Sequence, residues 1–240
     1  MLGLLTAVAA GAAASYAGYA TMGPESQLYG RTLTHGGDPG QIALTYDDGP
    51  NDPHTLHLLD LLARYNAKAT FFLIGKYAAK RPDIVRAIHE AGHAIGNHTY
   101  SHPNLIFVSP GRLRQELTDC AKAMADAGLE AGETRLFRPP FGGRRPDVLS
   151  TARGMGLLPV MWSVTGYDWS AASAGAIIGK VTRQVDRHRR GEVVLLHDGG
   201  HVAFGTDRSF TVEATRRLLQ KYAEEGRRFV SVHDLVAAKS

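Results

Sequence analysis

The stretch Ile42-Ala43-Leu44-Thr45-Tyr46-Asp47-Asp48-Gly49-Pro50 is a short apolar run that halts on two carboxylates and a Gly-Pro turn. A run of this length, bounded by turn residues, reads as a buried strand. The pattern recurs along the chain. Strands are expected at Ile42–Tyr46, Thr70–Ile74, Ala94–Asn97, Arg135–Arg138, Leu157–Trp162, Val193–Leu196 and Phe229–Val232. Helices are expected between them, near residues 54–65, 82–91, 110–127, 146–155, 173–189 and 210–225. Leu58, Leu61, Leu62 and Tyr65 form one apolar stripe, and Ile178, Val181 and Val185 another. Asp52 and Ser109 stand near helix starts, where capping residues belong.

Seven strands alternating with helices imply an α/β fold of parallel βα units, either an open doubly wound sheet or a barrel. In both, chemistry gathers at the carboxyl ends of the strands. Here five such ends carry polar residues that structure alone does not require. They are Asp47-Asp48-Gly49-Pro50, His98-Thr99-Tyr100-Ser101-His102, Arg138-Pro139-Pro140-Phe141-Gly142, Asp168-Trp169 and His197-Asp198-Gly199-Gly200.

The bulk properties fit a globular chain. Of 240 residues, 44% are hydrophobic and 21% charged, enough apolar material for a full core. The net charge of +4 is carried in short clusters such as Arg187-His188-Arg189-Arg190, with no long basic tract, so nucleic acid is not an expected partner. Those clusters read as solvated helix ends, or as weak attraction to an anionic polymer such as a bacterial wall. Cys120 is the sole cysteine, which rules out a disulfide framework and a thiolate zinc site. It shares a stripe with Leu113, Leu117, Ala121 and Met124 and reads as a buried structural thiol.

Residues 2–20 are almost all Leu, Ala, Val, Gly or Tyr, and no charge precedes Glu25. They read as an apolar leader, a signal peptide or a membrane anchor, so export to the outer side of the membrane, secreted or anchored, is expected. The usual basic n-region is missing, and the stretch is Ala/Gly-rich for a membrane span of about 20 residues. A leader packed on the domain is the alternative. Residues 21–39 read as a linker with Gly and Pro punctuation, and residues 40–240 as one domain. No protein partner is evident.

His98 and His102, at i and i+4, can point the same way from one helical turn. A carboxylate from another strand end completes a two-His, one-carboxylate site with positions open for water and substrate. Such a cation polarises a carbonyl and lowers the pKa of bound water. Of the pair Asp47 and Asp48, one can bind metal while the other accepts a proton. A turn at Gly49-Pro50 can bring both to one cavity. His197 is a candidate general acid, and Arg138 a partner for a catalytic carboxylate. Singly, these residues are equally well explained as an ordinary turn, a core histidine and a structural ion pair.

Together they resemble a known family. Thr45-Tyr46-Asp47-Asp48-Gly49-Pro50, His98-Thr99-Tyr100-Ser101-His102, Arg138-Pro139-Pro140-Phe141, Asp168-Trp169 and Leu195-Leu196-His197-Asp198 look like the five ordered motifs of the polysaccharide deacetylases, carbohydrate esterase family four. That family includes chitin and peptidoglycan deacetylases. The resemblance implies a distorted barrel of about seven parallel strands, with residues 40–240 as catalytic domain. The implied substrate is an N-acetylated sugar polymer or oligomer, and acetate the product. Asp48, His98 and His102 match the metal triad, usually for Zn2+ and sometimes for Co2+ or another divalent ion. Asp47 matches the base, Arg138 the residue that orients it, His197 the acid and Asp168 its partner. The Phe141 amide matches the oxyanion donor, and Trp169 and Leu195 the walls around the acetyl methyl.

This chain departs from the pattern at Tyr46, where Phe is commoner, at Phe141, where Tyr is common, and at Thr165, where an extra Asp often stands. Rival readings are an O-acetyl or small-amide hydrolase of the same fold, a non-catalytic wall-binding module, and a structural metalloprotein. The remaining histidines (His35, His54, His57, His89, His93, His188, His201 and His233) read as non-catalytic; for His201, after the Gly199-Gly200 turn, a place at the cleft is the lesser alternative. Tyr65, Phe71, Phe72 and Trp162 read as core, and Asp198 as a brace for the loop after strand six.

Overall fold

The computed structural model describes residues 15–130 and 132–237. Residues 15–22 are helical (α1). There follow β1 (His35–Gly36), β2 (Gln41–Gly49), α2 (His54–Arg64), β3 (Ala69–Leu73), α3 (Gly75–Lys80), α4 (Pro82–Glu90), β4 (Ala94–Asn97), α5 (Pro110–Asp126) and β5 (Leu136–Phe137). The chain continues through α6 (Pro146–Gly154), β6 (Leu158–Pro159), β7 (Val164–Thr165), α7 (Ala174–Arg187), β8 (Gly191–His197), α8 (Ser209–Glu224), β9 (Arg228–Phe229) and α9 (Val232–Ala237). The apolar stretch 2–20 lies mostly outside the described residues. No helix among those described is long and apolar enough to cross a membrane.

One mixed sheet runs β1-β8-β2-β3-β4-β5-β6, with β7 also beside β8 and β9 beside β2. Every ladder is parallel except β1 on β8. Among the described residues no ladder joins β6 to β7, so the sheet curls into a distorted half-barrel rather than closing. Of the two architectures open to the sequence, the barrel-like one is correct.

Strand β2 shows why this sheet is central. All nine residues are buried, as expected for a parallel strand covered on both faces. Ile42, Leu44 and Tyr46 pack outward with Leu58 and Leu62 of α2 and Leu218, Leu219 and Tyr222 of α8. Ala43 turns inward with Phe72, Leu136, Val160 and Val193. The Tyr46 hydroxyl meets Thr215 Oγ1 at 3.0 Å, which satisfies the one polar atom that distinguishes it from Phe.

The seven expected strands and six expected helices are all present, with shifted ends. The stretches expected at Arg135–Arg138 and Leu157–Trp162 shrink to two residues each, because Pro139 and Pro159 interrupt the ladder. β1, β7, α3 and α9 are too short to leave a periodic signal. Ser109 does cap α5, accepting from Arg112 N at 3.2 Å. Asp52 caps nothing: Pro53 holds the cap position of α2. The Asp52 carboxylate pairs with Arg81 instead. Cys120 is fully buried, and burial pushes its thiol up to about 12. Ala123 rather than Ala121 completes its buried stripe.

His93 precedes β4 and is buried, and its Nδ1 accepts from Ala69 N at 3.3 Å. That bond needs a neutral ring. Burial, assisted by the Lys68 charge, lowers its pKa from 6.5 to about 4. Between those values the unfolded chain binds the extra proton, so the contribution is full above the unfolded pKa and lost as pH falls through the window. The loss should reach up to about 3 kcal/mol. Urea midpoints at pH 7 and pH 4.5 should therefore differ less in His93→Gln than in the native chain.

Candidate active site

Parallel strands in one register end on one rim, and that is where the functional residues meet. Asp47 of β2 lies beside His197 of β8 on one side and Phe72 of β3 on the other. His98 follows Asn97, which pairs with Leu73 and Phe137, and Arg138 follows Phe137. Neighbours on a flat strand point to opposite faces. Here the ladder to β3 shifts register between Asp47 and Gly49, and Asp48 has φ 72°. This bulge, rather than the turn at Gly49-Pro50, lets both carboxylates face one cavity. Gly49 is needed beside it, since a Cβ there would meet Asp198 Oδ2 at 2.2 Å.

His98 and His102 do not share a helical turn, contrary to the expectation from their spacing. They lie on a loop after β4 whose Thr99 and His102 both have left-handed backbone, φ 67° and 62°. Short side chains hold that shape. Asn97 Oδ1 accepts from Thr99 N at 2.9 Å, Thr99 Oγ1 from His102 N at 3.1 Å, and Glu116 from Ser101 N and Oγ, each at 2.7 Å. The rings converge on Asp48 Oδ1, His102 Nε2 at 3.2 Å and His98 Nε2 at 3.5 Å.

The donor set fits a divalent cation. His98 Nδ1–H donates to the Arg138 carbonyl at 2.8 Å, which leaves the Nε2 lone pair facing Asp48. Burial, reinforced by His98, lowers His102 to about 3, so its ring is a neutral imidazole. Burial alone would raise Asp48, but the surrounding imidazoles of His201, His197, His102 and His98 outweigh it and hold the carboxyl well below its usual range. Asp48 Oδ1 is buried with no hydrogen-bond partner among the described residues. A buried anion between two lone pairs is what a cation satisfies.

Asp47 is held separately. The fully buried Arg138 donates from Nη1 to Asp47 Oδ1 at 2.7 Å and to Thr45 Oγ1 at 2.8 Å, and from Nη2 to the Met161 carbonyl at 3.0 Å. Its guanidinium lies 4.1 Å over the Phe72 ring. Asp47 Oδ2 stays free of Arg138, 3.8 Å from His98 Nε2.

Across the cleft His197 pairs with Asp168, Nδ1 to Oδ1 at 2.9 Å, while Asp168 Oδ2 accepts from His197 N at 2.7 Å and Thr211 Oγ1 at 2.8 Å. Burial would lower His197, but the Asp168 charge and hydrogen bond, with the Asp48 and Asp47 charges behind them, raise it to about 9. Burial would raise Asp168, but the His197 charge and hydrogen bonds, with the bond from Thr211, outweigh it and hold Asp168 below its ordinary value. Asp198 does brace its loop: Asn51 Nδ2 reaches its carbonyl at 2.9 Å and Thr55 its carboxylate. Burial first, then Asp48 and Asp47, push Asp198 up to about 7.

Asp47, Asp48, His98, His102 and His197 line a cleft of about 670 Å³. Phe141, Trp169 and Leu195 are on its wall, with Phe141 and Trp169 half-exposed. Arg138 and Asp168 sit behind it. Thr165 lines it too, its Oγ1 accepting from Tyr167 N at 3.2 Å. Trp162, read as core, also faces the cleft, as do His201 and Gln184. So do Met22 and Pro24, from the stretch read as linker. Buried Arg144 fastens that stretch, donating to the carbonyls of Gly23, Ser26 and Gly142. No local sequence pattern marks this contact.

The profile of the polysaccharide deacetylase family matches residues 35–160. Over 200 residues the chain is 37% identical to a peptidoglycan-N-acetylglucosamine deacetylase of Bacillus cereus, covering 82% of this chain and 89% of that one. Over 204 residues it is 38% identical to a chitooligosaccharide deacetylase of Sinorhizobium fredii, covering 82% and 93%. A family 4 carbohydrate esterase from Streptomyces lividans, solved in complex with acetate, superposes with a TM-score of 0.68 at 34% identity, over 82% of this chain and 93% of that one.

The Arg138–Asp47 pair yields a stability prediction. Arg138→Met strands a buried carboxylate and should cost about 3–5 kcal/mol in urea unfolding. Adding Asp47→Asn should recover part of the loss. Equal stability of the single and double variants would show that the stranded charge is not the cause.

Proposed function

The chain belongs to the polysaccharide deacetylase family, and on that premise we propose how its own residues perform the reaction. The enzyme is a metal-dependent hydrolase of N-acetyl groups on an amino-sugar polymer or oligomer, and it releases acetate. The observation that carries the assignment of roles is the convergence of Asp48, His98 and His102 on one side of a cleft, with the His197–Asp168 pair on the other.

In our reading Asp48, His98 and His102 hold a divalent cation, Zn2+ by preference for two imidazoles and a carboxylate. When bound, it polarises the acetamido carbonyl and makes water a nucleophile near neutral pH. Asp47 takes the proton of the attacking water through its free Oδ2. Arg138 fixes the orientation of Asp47 through its bond to Oδ1. The Phe141 amide donates to the developing oxyanion. His197 Nε2 then protonates the departing nitrogen, while Asp168 holds Nδ1–H and so fixes the tautomer. Leu195 and Trp169 enclose the methyl in a slot too small for longer acyl groups.

The substrate we propose is an N-acetylglucosamine unit within a glycan, in peptidoglycan or in a chitin-type oligomer. The half-exposed rings of Phe141, Tyr167 and Trp169 offer flat apolar faces to sugar rings along the cleft. Action on a wall polymer places the enzyme outside the membrane, in keeping with the apolar character of residues 2–20.

Acetate release from N-acetylglucosamine oligomers and from peptidoglycan tests this directly, with Zn2+-loaded, chelated and Asp47→Asn protein side by side. Release should need both metal and Asp47, and the better substrate identifies the glycan. No acetate from any sugar, with Zn2+ still bound, sinks the assignment. A second expectation concerns pH. His197 must be protonated to act, and Asp168 keeps it so to higher pH. Asp168→Asn should therefore move the alkaline limb of kcat to lower pH and reduce kcat by at least about 100-fold.

A further inference from the structure

The loop from Gly199 to Ser209 is fastened on both sides. The Tyr77 hydroxyl donates to the carbonyls of Gly200 and His201 at 3.1 and 3.3 Å, and Lys76 Nζ to that of His201 at 3.2 Å. Arg208 Nε reaches the Gly199 carbonyl at 2.6 Å. Asn51 accepts from Gly205 N at 3.0 Å and donates to Thr206 O at 2.8 Å. A Cβ on Gly200 would come within 2.4 Å of Thr206 Oγ1, so the backbone folds tightly there. Every one of these bonds holds main chain, and together they aim the His201 ring at Asp48.

The ring stacks on His102, centroids 4.6 Å apart at 22°, and meets Phe141 edge to face, centroids 5.1 Å apart. His201 Nδ1 lies 3.7 Å from Asp48 Oδ2. One ligand atom each from Asp48, His102 and His201 lie within 4.8 Å of one another, as compact a set as a single cation needs. We propose that His201 is a fourth, exchangeable protein ligand of the active-site cation, engaged when the cleft is empty and displaced when substrate enters.

The inference rests on the cation site described under the proposed function. Its physical basis is a difference in freedom. The His98 and His102 side chains are 3% and 4% exposed and cannot move without disturbing the core, whereas that of His201 is 40% exposed. Three fixed ligands leave positions open for chemistry, while four close a site and retain its metal. A mobile fourth imidazole serves both needs in turn: it retains the cation in the free enzyme and vacates a position for the acetamido oxygen. Ligand exchange of this kind changes no bond in the substrate and needs no further reactant.

The test uses the full chain with Zn2+ and Co2+ as probes. Zn2+ affinity is measured by competition with a chromophoric chelator for the native protein, His201→Ala, His201→Gln and His102→Ala. Visible spectra are recorded for the Co2+-loaded forms, and melting of the metal-free proteins checks folding. Both His201 variants should bind Zn2+ at least about tenfold more weakly and show altered Co2+ bands. An N-acetylglucosamine oligomer added to native Co2+ protein should shift its spectrum towards that of His201→Ala. The proposal is overturned if both His201 variants keep native affinity and native Co2+ spectra while His102→Ala loses Zn2+. If His102→Ala also keeps native affinity, the cation site itself is wrong, and the proposed reaction falls with it.

Discussion

A guanidinium sealed inside the curled sheet organises this protein. Arg138 is fully buried, and its charge is met by one carboxylate oxygen of Asp47. Its other donors go to Thr45 Oγ1 and the carbonyls of Val160 and Met161, and its face lies against Phe72. A buried charge survives only with its hydrogen bonds complete. Strands β2 and β3 and the segment after β6 are thus tied to one side chain from the end of β5. The same ion pair sets the orientation of Asp47, the residue on which the proposed proton transfer depends.

Around that centre the backbone is bent to serve the cleft. Six non-glycine residues among those described have positive φ: Asp48, Asn66, Thr99, His102, Phe141 and Tyr167. All but Asn66 lie at the cleft or in the loop that carries its histidines. Such conformations cost roughly 1–3 kcal/mol each in sparsely populated regions and persist where the surroundings fix them. Here Asn97, Thr99 and Glu116 fix the histidine loop, and the bulge in β2 fixes Asp48.

The electrostatics divide the cleft into two halves. On the cation side, burial keeps His102 neutral and its neighbours keep Asp48 charged. On the far side Asp168 does the reverse, holding a proton on His197. Similar imidazoles are thus set apart, for the proposed roles of ligand and acid, by burial and by their partners. Burial by itself would leave all of them uncharged. Part of the cleft lining comes from a distance in sequence, from Met22 and Pro24 in the stretch fastened through Arg144.

Much of this was legible in the residues themselves. Apolar runs at intervals fixed the alternation of strands and helices, because burial on both faces of a parallel strand requires them. The polar residues that ended those runs marked the site, because parallel strands deliver their ends to one rim. Resemblance of the five motifs then attached roles to Asp47, Asp48, His98, His102, Arg138, Asp168 and His197. Tertiary structure decided the rest. Whether the sheet closed depended on ladders between two-residue strands, which have no periodicity. The spacing of His98 and His102 suggested a helix, and only the Asn97–Thr99–Glu116 bonds make it a loop. That Trp162, Met22, Pro24 and His201 share the cleft depends on contacts across many tens of residues, and no local pattern encodes a side chain's distance from a partner that folding alone brings near.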